Sequence, residues 1–241
     1  VRAAQRYVQA GKDWVVDMDI TKFFDRVNHD ILMNRIGQTI RDKRVLGLIG
    51  RYLRAGVMVE GVVQASEEGT PQGGPLSPLL ANIYLDALDQ ELERRGLAFS
   101  RYADDCNIYV GSERAAERVL TSVTQWIKKH LRLEVNGTKS GTGRPWERKF
   151  LGFRINPKGK IEVAPKSVER FKEKVRECWE GRQSLSSKEL RNQWWAYVRG
   201  WWGYFQLAEE RRNIFGLEGW IRRHIRKCFW QRWHDWRGRR N

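Results

Sequence analysis

The stretch that decides the fold is AFSRYADDCNIYV, residues 98–110. Two largely apolar runs, Ala98 to Ala103 and Cys106 to Val110, flank the adjacent acids Asp104 and Asp105. Short β-rich runs separated by a polar pair are typical of a β-hairpin. The stretch therefore predicts a hairpin that carries two carboxylates at or beside its tip.

A second β-rich run, WVVDMDI at residues 14–20, has acids at alternate positions, Asp17 and Asp19. Because successive side chains of a strand point to opposite faces, these two carboxylates share one face. If this strand neighbours the hairpin, carboxylates 85 positions apart converge on one edge of the sheet. Such a cluster is repulsive without a cation, and Mg²⁺ binds through a few carboxylates plus substrate phosphates. The pattern indicates a magnesium site.

The alternative interpretation of the same acids is structural. An Asp-Asp pair is ordinary turn chemistry, and Asp19 is then an acid at the end of a strand. Taken alone, the pair favours this alternative, because a two-residue motif is a weak match. The surrounding motifs decide between the two interpretations.

Other local signals predict a mixture of helices and strands. Asn28 is expected to cap a helix through Ile36, and Asp42 another through Leu53. Apolar residues at helical spacing predict a helix after the cap Ser77 and Pro78, ending at Gly96. The remaining predicted elements are a hairpin at 57–63, a helix to about residue 130, and short strands near 131–135, 150–155 and 160–163.

The composition limits the possible functions. The chain has 241 residues, and its apolar fraction of 41% excludes intrinsic disorder. Its net charge of +16 favours a polyanionic partner, nucleic acid before anionic membrane. No apolar run approaches the roughly 18 residues of a spanning helix. The three cysteines, Cys106, Cys178 and Cys228, have no zinc-site spacing and indicate a reducing compartment.

Five motifs in order give a specific resemblance. Residues 101–105 (RYADD) are similar to the tyrosine-x-aspartate-aspartate box of reverse transcriptases, and residues 19–25 (DITKFFD) resemble their first palm motif. Residues 68–82 (EGTPQGGPLSPLLAN) resemble the next motif, and TKS at 138–140 and FLGF at 150–153 resemble the two that follow. The Phe-Phe-Asp ending is typical of bacterial group II intron enzymes. The chain therefore resembles a group II intron-type reverse transcriptase/maturase.

The resemblance implies the fold class and the catalytic residues. The expected fold is α+β, with a reverse-transcriptase palm, an antiparallel sheet packed on helices, followed by an all-α thumb. Asp19 and Asp104 would bridge two Mg²⁺ ions, with Mn²⁺ as a possible substitute, in two-metal nucleotidyl transfer. Asp105 would support the site electrostatically or as an occasional ligand, and the Ile20 carbonyl is a further candidate ligand. Asp17 has no matching role.

Further residues match family positions around the substrate. Phe24 corresponds to the bulky residue beneath the incoming sugar, where a ring would clash with a ribose 2′-hydroxyl; the alternative is a core Phe. Gln72 corresponds to a residue near the nucleotide and template, or is a polar loop residue. Lys139 is the candidate general acid for the leaving pyrophosphate, or a solvated Lys. Leu151 and Gly152 would form the turn that grips the primer end, or a simple hairpin.

The chain is expected to have two domains. Residues 1–160 carry the palm motifs, and residues 161–241 hold nine of the twelve tryptophans and a net charge of +9. Trp194, Val198, Trp201 and Phe205 recur at helical spacing, which predicts a helical core for this thumb or maturase-type domain. The cations crowded near its end, expected to contact RNA phosphates, are Arg222, Arg223, Arg226, Lys227, Arg232, Arg237, Arg239 and Arg240.

The resemblance also implies a missing region and sets the candidate functions. Family members have fingers before the palm, but only eighteen residues precede Asp19, so a fingers region outside this chain is expected. The leading hypothesis is an RNA-directed DNA polymerase core that takes an RNA template, a primer and dNTPs in the bacterial cytoplasm, with group II intron RNA as a further partner. The alternatives are a non-catalytic RNA-binding maturase and, more weakly, a membrane-surface protein. A pure RNA binder has no use for clustered carboxylates, which favours catalysis.

Overall fold

The computed structural model describes residues 1–55, 57–59, 62–64, 68–71, 74–180 and 185–232. The chain divides into two compact units, one spanning Arg2–Arg144 and the other Pro145–Asn241 together with Val1. The described helices include none with the length and apolar character needed to cross a bilayer.

The first unit is built on a four-stranded antiparallel sheet with the order β4-β5-β1-β6. The strands are β1 (Trp14–Met18), β4 (Ala98–Tyr102), β5 (Asp105–Val110) and β6 (Gly141–Gly143). The hairpin predicted around Asp104 and Asp105 is confirmed, since β4 and β5 pair in register from Ala98↔Tyr109 to Tyr102↔Asp105. The strand predicted at Trp14 is also the direct neighbour of that hairpin.

Helices cover the sheet, and their ends follow the local capping signals. Asn28 accepts a hydrogen bond from the Ile31 amide, and Asp42 accepts from Arg44 and Val45, which confirms both predicted caps. Ser77 was predicted as a cap, but it is the first helical residue, and its hydroxyl donates to the Pro71 carbonyl instead. The helices of this unit are α1 (Arg2–Gln9), α2 (His29–Thr39), α3 (Lys43–Arg54), α4 (Ser77–Arg94) and α5 (Glu113–Leu131), with a 3₁₀ turn η1 (Phe23–Asp25) and a hairpin of β2 (Val57–Val59) and β3 (Val62–Gln64).

One apolar core joins the sheet to these helices. Met18 and Ile108 from the sheet pack with Tyr84 of α4 and Ile127 of α5, and all four are almost fully buried. The Tyr84 hydroxyl donates to the Leu131 carbonyl at 2.6 Å, so this buried polar group has a hydrogen-bond partner inside the core. The expected α+β class, an antiparallel sheet packed on helices, is confirmed.

The strand predicted at residues 131–135 is wrong. Arg132 adopts a left-handed conformation (φ 52°) that ends α5, and the segment after it makes only an isolated bridge between Val135 and Ile20. The fourth strand of the sheet is instead β6, which pairs with β1 from Val15↔Gly143 to Asp17↔Gly141. Its sequence, Gly-Thr-Gly, lacks the β-branched and apolar alternation by which a strand is recognised.

The second unit is a small hairpin followed by helices. The hairpin pairs β7 (Phe153–Ile155) with β8 (Ile161–Val163), so the strand predicted at 150–155 is shorter than expected. The helices are α6 (Pro165–Cys178), α7 (Ser187–Phe205), α8 (Arg212–Phe215) and α9 (Leu217–Arg232). Trp194 and Phe205 are buried in the apolar core of this unit, and Val198 and Trp201 pack against it, which confirms their predicted structural role.

Candidate active site

Asp19 lies just beyond the end of β1, beside the tip of the β4–β5 hairpin. Met18 pairs with Cys106, and one further step of the same antiparallel register sets Asp19 opposite Asp105. Asp104 is in the turn itself, and all three acids are half-buried. The fold therefore brings Asp19, Asp104 and Asp105 to one edge of the sheet, which we call the acid edge.

The turn that carries Asp104 is tight and strained. Tyr102 pairs with Asp105, which leaves only Ala103 and Asp104 to reverse the chain. Ala103 has φ +54°, a value that suits glycine at the first central position of a type II′ turn. A left-handed alanine costs roughly 1–2 kcal/mol, and such strain persists only where the surroundings hold it.

Arg101 supplies that support. Its guanidinium makes a bidentate ion pair with Asp89 of α4, with contacts of 2.7 and 2.5 Å. Its Nη1 atom also donates to the Ala103 carbonyl at 2.9 Å and to the Asn82 side-chain oxygen at 3.1 Å. The Arg101 side chain is only 10% exposed. Arg101 thus connects the strained turn to α4.

The segment after α5 is held along Asp19 by hydrogen bonds to the Asp19 and Thr21 backbone. The Asn136 amide donates to the Asp19 carbonyl at 2.8 Å, and the Asp19 amide donates to Ser140 Oγ at 2.9 Å. The Thr21 amide donates to the Glu134 carbonyl at 2.8 Å. These contacts bring Lys139, predicted from its motif alone, to the acid edge, where its Nζ atom lies 3.5 Å from Asp19 Oδ2.

The donor chemistry of this edge fits a hard divalent cation, because its carboxylate oxygens are the ligand type that Mg²⁺ prefers. Within the described ranges, no group of three or more His, Cys, Asp or Glu side chains is already gathered into a metal-binding arrangement. The negative charge of Asp19 is instead met by the Lys139 ammonium. Ile20, whose carbonyl is a candidate ligand, is 4% exposed and bridges to Val135.

Asp17 has a structural partner on the same sheet. It pairs across the strands with Asn107. The Asn107 side-chain amide is oriented so that its nitrogen donates to Asp17 Oδ1 at 3.0 Å. The neighbouring Cys106 is 2% exposed, and burial raises the pKa of its thiol to about 12. Burial also raises the pKa of the Tyr109 hydroxyl. Both groups stay protonated near neutral pH, so they add no charge beside the acids.

Phe23 and Phe24 take different positions in η1. Phe23 is 2% exposed and belongs to the core, while Phe24 is half-buried with its ring edge-on to Phe23, at a centroid distance of 5.2 Å. The predicted sugar-selecting residue is therefore the less buried of the pair, and it packs against the core. Gln72, the other predicted nucleotide contact, lies outside the described residues.

The loop before Gln72 is held close to the backbone of η1. Thr70 donates its amide to the Phe24 carbonyl at 2.6 Å, and Gly69 donates to the Val27 carbonyl at 2.8 Å. Gly69 has φ +88°, and a Cβ atom there would approach the backbone oxygens of Asp25 and Phe24 to 2.9 Å. Only glycine satisfies both the conformation and the contact.

Gly69→Ala is therefore expected to lower the free energy of unfolding by about 2–4 kcal/mol, since strain and backbone overlap act together. Gly47→Ala is the matched control, because Gly47 lies in α3 with no atom near its Cβ position. The control is expected to leave stability unchanged or to raise it by up to about 1 kcal/mol. Urea unfolding of the two variants measures the difference, and equal midpoints would contradict the close approach.

Leu151 and Gly152 form a two-residue turn in the second unit. Phe150 and Phe153 exchange backbone hydrogen bonds, and both turn residues have positive φ, 52° and 78°, as a type I′ turn requires. The Tyr204 hydroxyl donates to the Leu151 carbonyl at 3.0 Å, and Ser167 Oγ donates to the Gly152 carbonyl at 3.0 Å. Both carbonyl groups of the turn therefore accept hydrogen bonds from side chains of the same unit.

The predicted phosphate-binding cations fall into two groups on α9. Arg222, Arg223, Arg226 and Lys227 are exposed. Among these four, Arg222 alone forms an ion pair with a residue that the structure describes, Glu218 one turn earlier. Arg232 is half-buried, and its guanidinium donates to the Leu185 carbonyl at 2.5 Å, which indicates a structural role. Arg237, Arg239 and Arg240 lie outside the described residues.

Comparison with known proteins identifies the family. Residues 3–155 match the family described as reverse transcriptase (RNA-dependent DNA polymerase), and residues 168–241 match the group II intron, maturase-specific domain. Because the first match spans more than half of the chain, the chain belongs to the reverse transcriptase family. Within this family it is of the group II intron type, with a reverse transcriptase region followed by a maturase-specific region. The boundary predicted at residue 160 falls between the two matched ranges.

Individual relatives cover only parts of the chain. It is 41% identical to Protein YkfC of Escherichia coli over 85 residues and to the group II intron-encoded protein LtrA of Lactococcus lactis over 91 residues. These segments make up 35% and 38% of this chain but only 22% and 15% of those proteins. The apo telomerase of Candida tropicalis superposes with a TM-score of 0.55 at 11% identity, over 95% of this chain and 50% of that one, which shows a shared fold.

The sequence did not identify Arg101 as the residue that supports the turn of Asp104, although it is part of the motif quoted for the acids. The available signal was a lone cation inside a β-rich run, since a charged residue in a packed strand needs a partner. That partner, Asp89, is twelve positions earlier on a helix, and no local pattern joins the two.

Proposed function

We propose that this chain carries the catalytic core of an RNA-directed DNA polymerase, which adds dNTPs to a primer 3′-hydroxyl on an RNA template. The observation that carries the proposal is the register that sets Asp19 opposite Asp105, with Asp104 in the adjoining turn. Acids gathered at one strand edge beside a strained turn suit a site for phosphoryl chemistry better than a structural role.

In this proposal Asp19 and Asp104 hold two Mg²⁺ ions, with Asp105 and the Ile20 carbonyl as supporting ligands and Mn²⁺ as a substitute. When bound, such ions lower the pKa of the primer hydroxyl and neutralise the departing pyrophosphate. The half-burial of the three carboxylates supports this role, because partial exclusion of water strengthens their hold on a cation.

The residues around the acids have separate tasks in the proposal. Lys139 leaves its ion pair with Asp19 when substrate binds and donates a proton to the pyrophosphate. Phe24 lies beneath the sugar and excludes a 2′-hydroxyl, while Gln72 contacts the nucleotide and template. Leu151 and Gly152 contact the primer end, and their clamped carbonyls support such a positioning role.

The exposed cations of α9 are proposed to contact RNA phosphates. Arg222, Arg223, Arg226 and Lys227 recur at helical spacing on the solvent side of α9, so one helix face carries four positive charges. Such contacts are largely independent of sequence and weaken with salt. The match to the maturase-specific domain favours group II intron RNA as a further partner, and RNA binding without catalysis is the second candidate function.

Primer extension on an RNA template tests the proposal. The wild-type chain is assayed with Mg²⁺ and with EDTA, alone and with an added fingers fragment of a group II intron relative. Metal-dependent extension under either condition supports the polymerase function. RNA binding without extension in both would contradict it and leave the second candidate.

A prediction concerns Arg101 as a positioning residue for Asp104. Arg101→Lys keeps the positive charge but removes the guanidinium group that contacts both Asp89 and the Ala103 carbonyl. We expect kcat for extension to fall about tenfold, since a small misplacement of a catalytic group is costly, while the KM for dNTP changes little. Hydrogen exchange of the peptide at residues 98–110 is expected to speed up in the same variant.

Arg94→Lys is the control, because Arg94 pairs with Glu91 on an exposed helix surface and its side chain is 71% exposed. Exchange in residues 98–110 and kcat are both expected to match the wild type in the control. Unchanged exchange in Arg101→Lys would contradict the support of the turn, even if the chain proves inactive as a polymerase.

A further inference from the structure

One face of α7 is exposed and carries a tryptophan among cations. Residues separated by three or four positions lie on the same side of a helix. Five exposed residues of α7 are related in this way and form one face: Lys188, Arg191, Asn192, Trp195 and Arg199. The opposite side is the one buried in the core of the second unit. This surface, the α7 face, has no role in the function proposed above.

The Trp195 ring differs from those of Trp202 and Trp220 in the same unit. It is 57% exposed and makes no aromatic or cation contact within the described residues. Trp202 and Trp220, by contrast, lie beneath the guanidinium groups of Arg211 and Arg176, at 5.2 and 5.3 Å. The other side of α7 is packed in the core, so the helix that carries Trp195 is held in place while the ring itself is largely exposed to solvent.

Two recesses are lined in part by Trp195. One, of about 540 Å³, is lined by Trp195 with Asn192, Ala196 and Arg199. The other, of about 570 Å³, is lined by Trp195 together with Lys188 and Arg191 and with apolar side chains of the core. Each recess is within the size range of small-ligand sites and combines an aromatic residue with at least one cation, Arg199 in the first and Lys188 and Arg191 in the second.

The charge of the α7 face is positive throughout. Lys188, Arg191 and Arg199 form no ion pair with any carboxylate in the part of the chain that the structure describes. The one acid of α7, Glu189, is turned to the helix start, where its carboxylate accepts from the Ser186 amide at 2.8 Å and from Ser186 Oγ at 2.7 Å. An anionic partner therefore meets three cations whose charge is not already neutralised.

We propose that the α7 face binds single-stranded RNA, with an unpaired base stacked on Trp195 and the flanking phosphates on Lys188, Arg191 and Arg199. This inference rests on the RNA binding of the proposed function and adds a second surface to the α9 cations. An exposed ring flanked by cations is how proteins bind single strands, because a duplex hides the faces of its bases. The Asn192 amide can donate to and accept from a base edge.

The test measures the affinity of the full chain for a 12-nucleotide unstructured RNA and for a 12-base-pair RNA duplex by fluorescence anisotropy. Stacking on one aromatic ring contributes about 1–3 kcal/mol, so Trp195→Ala is expected to weaken single-strand binding by about 5–150-fold. Duplex binding is expected to change less than about twofold. Trp195→Phe, which keeps a ring, is expected to recover most of the loss.

Phe215→Ala is the matched control, since Phe215 is an even more exposed ring of the same unit, at 72%. It is expected to leave both affinities unchanged, and circular dichroism melting confirms that each variant folds. A second readout uses an RNA that contains 4-thiouridine, which is expected to crosslink to the tryptic peptide at residues 192–199 in the wild type.

Equal single-strand affinity of Trp195→Ala and wild type would overturn the inference, as would a loss that is equal for the single strand and the duplex. A change from dimer to monomer in sedimentation, with RNA affinity unchanged, would assign the α7 face to a second copy of the chain instead. A wild-type chain that extends primers but shows these results leaves the polymerase proposal intact. A wild-type chain that binds neither RNA contradicts both.

Discussion

Asp104→Asn is expected to lower the rate of RNA-templated primer extension by about 10³-fold or more, because the amide lacks the charge with which Asp104 is proposed to hold a divalent cation. Asparagine has the same shape, and the hydrogen bond from Arg101 goes to the Ala103 carbonyl rather than to Asp104. The turn is therefore expected to keep its conformation. Single-turnover extension with Mg²⁺ measures the effect.

The matched control is Asp30→Asn, which removes an exposed acid from the first turn of α2. Extension is expected to stay within about twofold of the wild type, since a lone surface charge contributes little. RNA affinity is expected to be the same in both variants. Equal extension rates for Asp104→Asn and Asp30→Asn would show that the acid edge is not the catalytic site.

Phe24→Ala is expected to raise the incorporation of ribonucleotides relative to deoxyribonucleotides by about 10–200-fold, the range that steric exclusion in a pocket gives. Phe24 is partly buried and packs against the core, while Phe23 beside it belongs to the core. Competition between an rNTP and the matching dNTP in one extension reaction measures the ratio.

Two variants separate selection of the sugar from loss of packing. Phe24→Tyr keeps the bulk of the ring and is expected to keep the discrimination. Phe23→Leu removes part of the core and is expected to lower the melting temperature while leaving the discrimination unchanged. If Phe23→Leu relaxes sugar selection as much as Phe24→Ala does, the assignment to Phe24 is wrong.

Much of the palm-like unit could be predicted from local signals. The β4–β5 hairpin, the strand at Trp14 and the capped helices at Asn28 and Asp42 all follow from patterns within about ten residues. The convergence of Asp19 with the hairpin depended on one assumption, that the two β-rich runs are neighbours, and the register confirms it. Ordered motifs supplied the positions of Phe24 and Lys139.

The parts that could not be predicted depend on contacts between distant segments. The strand β6 has almost no side chains to form a pattern, and its place beside β1 follows from the bonds that fasten residues 134–140 along Asp19. The support of the strained Ala103 by Arg101 joins a strand to a helix through Asp89. The spacing of Trp194, Val198, Trp201 and Phe205 predicts the buried side of α7, but it does not show that the Trp195 ring on the other side has no ring or cation partner among the described residues.

Template-directed addition of a single nucleotide tests the central claim most directly. The wild-type chain, with the fingers fragment supplied, is given a DNA primer on an RNA template and one dNTP at a time, with Mg²⁺ or with EDTA. The expected result is that only the deoxynucleotide complementary to the next template base is added, only with Mg²⁺, and not by Asp19→Asn. No addition, or addition that ignores the template base or persists in Asp19→Asn, would contradict the account.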